Sequence, residues 1–145
     1  MDTTTPMARG INVVHREKSE PIRGTVKFIG KPKDAVALVK GADLSDTIVL
    51  TVGGAVTFAG TVLMKRPAAL LTVEGAPESH LGILSREFDV PAVMSLELSE
   101  AAIPKFNGSG LLSPEYEQLI VGALDGKQVT VDIRDEKFGF VHLAE

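Results

Sequence analysis

The chain has 145 residues, 44% hydrophobic and 23% charged, the balance of one globular domain with a hydrophobic core. A net charge of -4 and an aromatic content of 5%, with no tryptophan, argue against a binder of phosphate backbones or of stacked single-stranded bases. The absence of cysteine excludes disulfides, zinc ribbons and thiol catalysis, and His15, His80 and His142 are too far apart for metal-ligand spacing.

Residues 1–19 read as a flexible or docking segment. Met1 to Pro6 lacks the basic start and apolar run of a signal peptide. No stretch approaches the ~20 apolar residues of a membrane span, so a soluble, cytoplasmic protein is expected. The apolar patch from Ile11 to Val14 is either an edge strand or a docking tail. Residues 20–145 are expected to form a single α/β domain with mixed strands. Ile22 to Gly30 carries β-branched and aromatic residues between glycines, a strand pattern, and Lys33 to Lys40 reads as a helix. Thr47 to Val52 and Ala68 to Val73 are apolar runs of buried-strand type, whereas Val56 to Met64 is ambiguous.

A turn then ends in His80, which opens a short helix with Leu81, Leu84 and Phe88 on one face. An imidazole can attack phosphorus, hold a phosphoryl group and pass it on. At a helix start, free backbone N–H groups face an attached anion. Ser79 reads as a helix cap or a phosphate donor, and Gly82 as a residue that leaves room for the phosphoryl group. On these residues alone, His80 is more readily an ordinary cap or surface histidine, and His15 and His142 read as structural or exposed. Arg86-Glu87 is expected to pin the helix by ion pairing, and Asp132 to lie on a strand surface. Gly53-Gly54 lacks the Gly-Lys-Ser/Thr ending of a phosphate-binding loop.

Beyond the helix, Pro91 to Met94 reads as a short strand, and Ser95 to Tyr116 as a long loop containing Asn107-Gly108-Ser109-Gly110. Glu115 to Ala123 is expected to be helical, and Asp125-Gly126 to make a tight turn. Lys127 to Ile133 alternates as a half-buried strand, with Phe138 to Leu143 as its hairpin partner.

Gly75-Ala76-Pro77-Glu78-Ser79-His80, followed by Ile83, Arg86-Glu87 and Val90-Pro91-Ala92-Val93, resembles the signature of the PEP-utilising enzyme mobile domain. Leu124 to Asp132 resembles that family's closing Asp-Gly turn and strand, and Asp46 to Leu50 its earlier strand. The resemblance spans about Ile22 to Leu143. It implies a swivelling β/β/α phosphohistidine domain, a compact sandwich or barrel with flanking helices. His80 would be the catalytic residue, with Thr72, Gly75, Glu78, Ser79 and Gly82 as its phosphate environment and no metal site.

Two residues depart from the family pattern. Ala76 stands at the second glycine of a pair, and Glu78 where threonine is usual. A carboxylate there repels a phosphohistidine unless it points away or orients the imidazole.

The implied function is that of a phosphohistidine carrier subunit of a split PEP-synthase-like dikinase. Such a carrier is not active alone, and it holds no cofactor in this chain. ATP or PEP, with Mg2+, is expected on a nucleotide-binding kinase subunit, and an acceptor-binding subunit would present pyruvate, a phenol or an alcohol. No nucleic acid or membrane partner is expected. The alternatives are a non-catalytic interaction module on the same fold and the small subunit of a dehydratase-like enzyme.

Overall fold

Alternation along the apolar strands decides which side chains fill the middle of the molecule. In β3 (Thr47–Thr51), Ile48 and Leu50 face an inner cluster, and Val49 faces an outer one. In β4 (Ala69–Thr72), Ala69 and Leu71 face inward and Leu70 outward; in β5 (Ala92–Leu98), Val93 faces inward, with Ala92 and Met94 outward. Strands buried on both faces need no polar residues, hence the apolar runs in the sequence.

The computed structural model describes residues 6–14, 18, 20–30, 32–40, 44–52, 62–75, 79–99 and 101–143. With β1 (Ala8–Asn12), β2 (Ile22–Phe28), β6 (Gln128–Asp132) and β7 (Phe138–Leu143), the strands close a barrel in the order β1-β5-β4-β3-β2-β6-β7. Neighbours from β2 through β3 and β4 to β5 run parallel, and the remaining pairs are antiparallel. This is the expected α/β class with mixed strands, in its barrel form. The outer cluster is covered by α1 (Pro32–Lys40) and α2 (His80–Glu87), through Ala35 and Leu81 among others. From α3 (Pro114–Leu124), Tyr116, Ile120 and Leu124 join the inner cluster at four-residue spacing.

Several expectations need correction. Residues 8–12 of the segment read as flexible or docking form β1, hydrogen-bonded to β5 on one side and β7 on the other. Its inward residues are Ala8, Gly10 and Asn12, and the Asn12 amide donates to the carbonyls of Ile133 and Asp135 at 2.9 and 2.8 Å. The loop expected from Ser95 begins only after Leu98, because β5 absorbs an extra residue. Ser95 adopts φ 59°, the register against β1 shifts there, and Leu96 returns to the inner cluster. Helix α3 begins at Pro114 behind the Ser113 cap, whose hydroxyl accepts from the Tyr116 N–H at 3.1 Å.

The Asp125-Gly126 turn is present, with Gly126 at φ 80° and Asp125 accepting from the Phe28 N–H at 3.0 Å. Most of the ambiguous Val56 to Met64 stretch, together with Gly53-Gly54, lies outside the described residues. Among the described residues, no helix is long and apolar enough to cross a membrane.

Candidate functional site

The parallel strands β3 and β4 end side by side in Thr51 and Thr72, which are paired in register and both buried. In sheets of parallel strands, ligands gather beyond these carboxyl ends, where loops lead into helices. Here the chain leaves β4 through Val73 and Glu74, bends at Gly75, and enters α2 at His80. Gly75 takes φ 114°, a conformation that L side chains rarely adopt.

A β-carbon on Gly75 would lie 3.7 Å from Thr72 Oγ1 and 3.9 Å from both Ser79 Oγ and Met94 Sδ. Thr72, Ser79 and Met94 thus converge on the bend, with Gly75 leaving the space between them open. Thr72 is fully buried, and its hydroxyl has no hydrogen-bond partner among the described residues. Buried hydroxyls are ordinarily satisfied, so this one marks an acceptor still to be met.

Ser79 caps α2 as expected. Its hydroxyl accepts from the Gly82 N–H at 3.3 Å and donates to Met94 Sδ at 3.8 Å, and its carbonyl accepts from the Ile83 N–H at 2.9 Å. The N–H groups of His80 and Leu81 make no hydrogen bond to a described residue, which leaves two first-turn donors. His80 itself is exposed at the first helical position, while Leu81 anchors the turn in the outer cluster. Ser85 hydrogen-bonds back to the Leu81 carbonyl at 2.8 Å, and the helix stops where Asp89 turns to φ 58°. An exposed imidazole on an anchored, capped turn can meet a second macromolecule without the helix shifting.

Gly82 is buried, and its N–H serves the Ser79 cap at 3.3 Å, so it offers no free donor. Arg86 and Glu87 are exposed and form no ion pair with a described residue. Glu78 lies outside the described residues, as do Ala76, Pro77 and His15. His142 sits half-buried in β7 opposite Thr130, away from the loop that carries His80. Asp132, on β6, pairs with Arg134 at 2.7 Å; that hydrogen-bonded guanidinium holds its carboxyl below the usual range.

The model of the family described as PEP-utilising enzyme, mobile domain, matches residues 51–135, more than half of the chain. The chain belongs to this family. The matched span opens at Thr51 on β3, includes Thr72, the bend, α2, β5 and α3, and closes just past β6. Membership in the mobile-domain family places the chain among the phosphohistidine swivelling domains of PEP-utilising enzymes, a phosphotransferase context. A comparison with curated proteins finds no significant match.

The structure adds members to this neighbourhood that sequence reading missed. Met94 was visible only as the residue after Pro-Ala-Val, and nothing in the sequence placed its sulfur against Ser79. Lys105 was hidden in a loop. Its ammonium donates to Ser95 Oγ at 3.1 Å, one residue along β5 from Met94. The available signal was a lone cation between Pro104 and Phe106 in an otherwise uncharged stretch from Ala101 to Ser113.

Proposed function

We propose that this chain is a phosphohistidine carrier in which His80 relays a phosphoryl group from a nucleotide- or PEP-binding partner to an acceptor. The observation that carries this reading is the exposed His80 on a capped helix turn, whose Ser79 cap converges at the Gly75 bend with a buried Thr72 hydroxyl that has no hydrogen-bond partner among the described residues. Family membership supplies the context for it.

In the first transfer, a ring nitrogen of His80 attacks phosphorus in line. The donor's P–O bond breaks, and its electron pair stays on the donor oxygen. In the second, an acceptor oxygen attacks the same phosphorus. The N–P bond breaks, its electrons return to the imidazole, and the acceptor's proton passes to a base on the partner. Helix α2 directs the His80 and Leu81 N–H groups toward the attached anion, and the Thr72 hydroxyl donates to one of its oxygens. Mg2+ accompanies the donor phosphates on the partner. The system is of the split-dikinase type, with separate nucleotide-binding and acceptor-binding subunits, and the acceptor is pyruvate or a phenol or alcohol hydroxyl. Intact mass tests this directly. The chain recovered from an extract of its native cell supplied with ATP or PEP is expected to gain one phosphoryl group. An unchanged mass with both donors contradicts the proposal.

Thr72→Val separates function from stability. Removing an unpaired buried hydroxyl is expected to leave stability unchanged or raise it by about 1 kcal/mol, roughly 3 °C in Tm. Phosphoryl uptake is expected to fall about tenfold, because a hydrogen bond to a charged group is lost. Calorimetry and the labelling rate together check this; unchanged uptake removes Thr72 from the phosphate environment.

Glu78→Thr restores the family's usual hydroxyl. Relief of about 1 kcal/mol of Coulomb repulsion, the value for unit charges ~4 Å apart in water, is expected to speed labelling roughly fivefold. An unchanged rate means that the Glu78 carboxylate lies away from the phosphoryl group.

A further inference from the structure

The bulge in β5 inserts Ser95 between Met94 and Leu96. Val93 and Leu96 both belong to the inner cluster and Met94 to the outer one. Met94 Sδ receives the Ser79 hydroxyl that caps the histidine helix, and Ser95 Oγ receives the Lys105 ammonium at 3.1 Å. Adjacent residues of one strand therefore hold both the base of the His80 turn and Lys105.

The segment carrying this lysine is itself fixed. The Ser113 N–H donates to the Lys105 carbonyl at 3.0 Å, the Ser113 hydroxyl donates to the Pro104 carbonyl at 3.0 Å, and Phe106 bridges to Leu112. Half-buried Lys105 lines a cavity of about 230 Å³ with Leu98, Ile103 and Tyr116, and its ammonium reaches Ser95. The ammonium lies 5.3 Å from the centre of the Phe106 ring.

Burial pulls the Lys105 ammonium below the ordinary lysine range, against the opposing pull of the Glu97 and Glu74 carboxylates. Glu74 immediately precedes Gly75, the bend that leads to His80. Its charge is felt at Lys105, yet no carboxylate among the described residues lies within ion-pair distance of that ammonium. A half-buried cation whose only hydrogen-bond partner among the described residues is a neutral hydroxyl is the arrangement that a removable anion would complete.

We infer that Lys105 supplies the countercharge to the phosphoryl group on His80, reaching it from the loop between β5 and α3. This rests on the carrier reading, so the test needs to distinguish the two. Phosphoramidate serves as the probe, because it phosphorylates histidine without any partner protein. A ring nitrogen bonds phosphorus, the P–N bond of the reagent breaks, and ammonia leaves. Wild type, Lys105→Gln and Lys105→Arg are labelled as full chains, and the adduct is followed by phosphorus NMR across pH.

Wild type and Lys105→Arg are expected to label at His80. Lys105→Gln is expected to label about tenfold more slowly, as for loss of a hydrogen bond to a charged group. Its phosphorus resonance is expected to titrate at higher pH, because a neighbouring cation favours the more ionised phosphoryl group. A slower rate with unchanged titration leaves Lys105 a structural pin and overturns the inference, as does equality in both measures. A wild type that labels, paired with an indifferent Lys105→Gln, sinks Lys105 alone; a wild type that never labels at His80 sinks the carrier reading, and Lys105 with it. Should Lys105→Gln fail to fold, wild type decides. Its adduct is expected to titrate below the same adduct unfolded in urea, and equality contradicts the inference.

Discussion

His80→Ala is expected to lower phosphoryl uptake by at least ~10³-fold, the scale seen when a covalent nucleophile is removed. The fold is expected to tolerate the change. His80 is exposed, and its side chain makes no hydrogen bond to a described residue, so the stability effect should stay within about 0.5 kcal/mol. Labelling kinetics and thermal unfolding, measured on one preparation, check both halves. Uptake that persists in a folded His80→Ala protein removes the histidine from the chemistry. An intact biological activity in that variant would favour the interaction-module or dehydratase-subunit alternatives, since neither needs His80.

The second large effect is expected far from the histidine, at Gly10. This residue faces Gly139 across the β1–β7 pair, and both point into the barrel beneath Val93. A β-carbon at Gly10 would sit 2.5 Å from the Met94 carbonyl oxygen and 2.8 Å from Val93 Cγ1. One of these atoms is backbone, so relief cannot come from a rotamer change and β5 itself must move. Gly10→Ala is therefore expected to cost about 3 kcal/mol, the upper end for overpacking, and to lower Tm by roughly 10 °C. The moved segment is the bulge that carries Met94 and Ser95, so phosphoryl uptake should fall as well. A Gly10→Ala protein as stable as wild type would mean that β5 yields more easily than its packing implies.

These two residues differ in how far the sequence announces them. His80 stands in an ordered run of motif elements whose spacing depends on local chain geometry alone. Its turn, cap and helix were therefore legible before any fold was known. Strands β3 and β4 were legible for a related reason, since strands covered on both faces must be apolar throughout. Strand β1 was not. Its inward positions hold Ala8, Gly10 and Asn12, chosen for close approach and for hydrogen bonds to a distant turn, so no apolar alternation marks it.

The far half of β5 escaped for a different reason. A positive φ at Ser95 breaks the period, and Glu97 on the exposed side disguises the strand that follows. Lys105 could not have been placed at all, because its contact with Ser95 exists only once the bulge and the loop fold together. The burial of Gly82 was likewise not legible from its place two residues after the histidine, since it depends on what the helix packs against.

The orphaned Thr72 hydroxyl connects these observations. It lies at the carboxyl end of β4 and is buried by the same bend that delivers His80 to the surface. A fold that stabilised itself at every position would satisfy that group or replace it with valine. An unpaired hydroxyl here, together with a Lys105 ammonium whose hydrogen-bond partner among the described residues is the neutral Ser95 hydroxyl, suits a site completed by a transient anion.

The central claim is that this anion is a phosphoryl group bound to His80, and peptide mapping of the labelled chain tests it most directly. The chain is incubated with radiolabelled ATP or PEP in extract of its native cell, recovered, cleaved, and sequenced by mass spectrometry with the label tracked through acid and alkali. The account predicts one modified peptide, with the phosphoryl group on His80, lost in acid and retained in alkali. Label on a serine or threonine that survives acid, or no label from either donor, would contradict it.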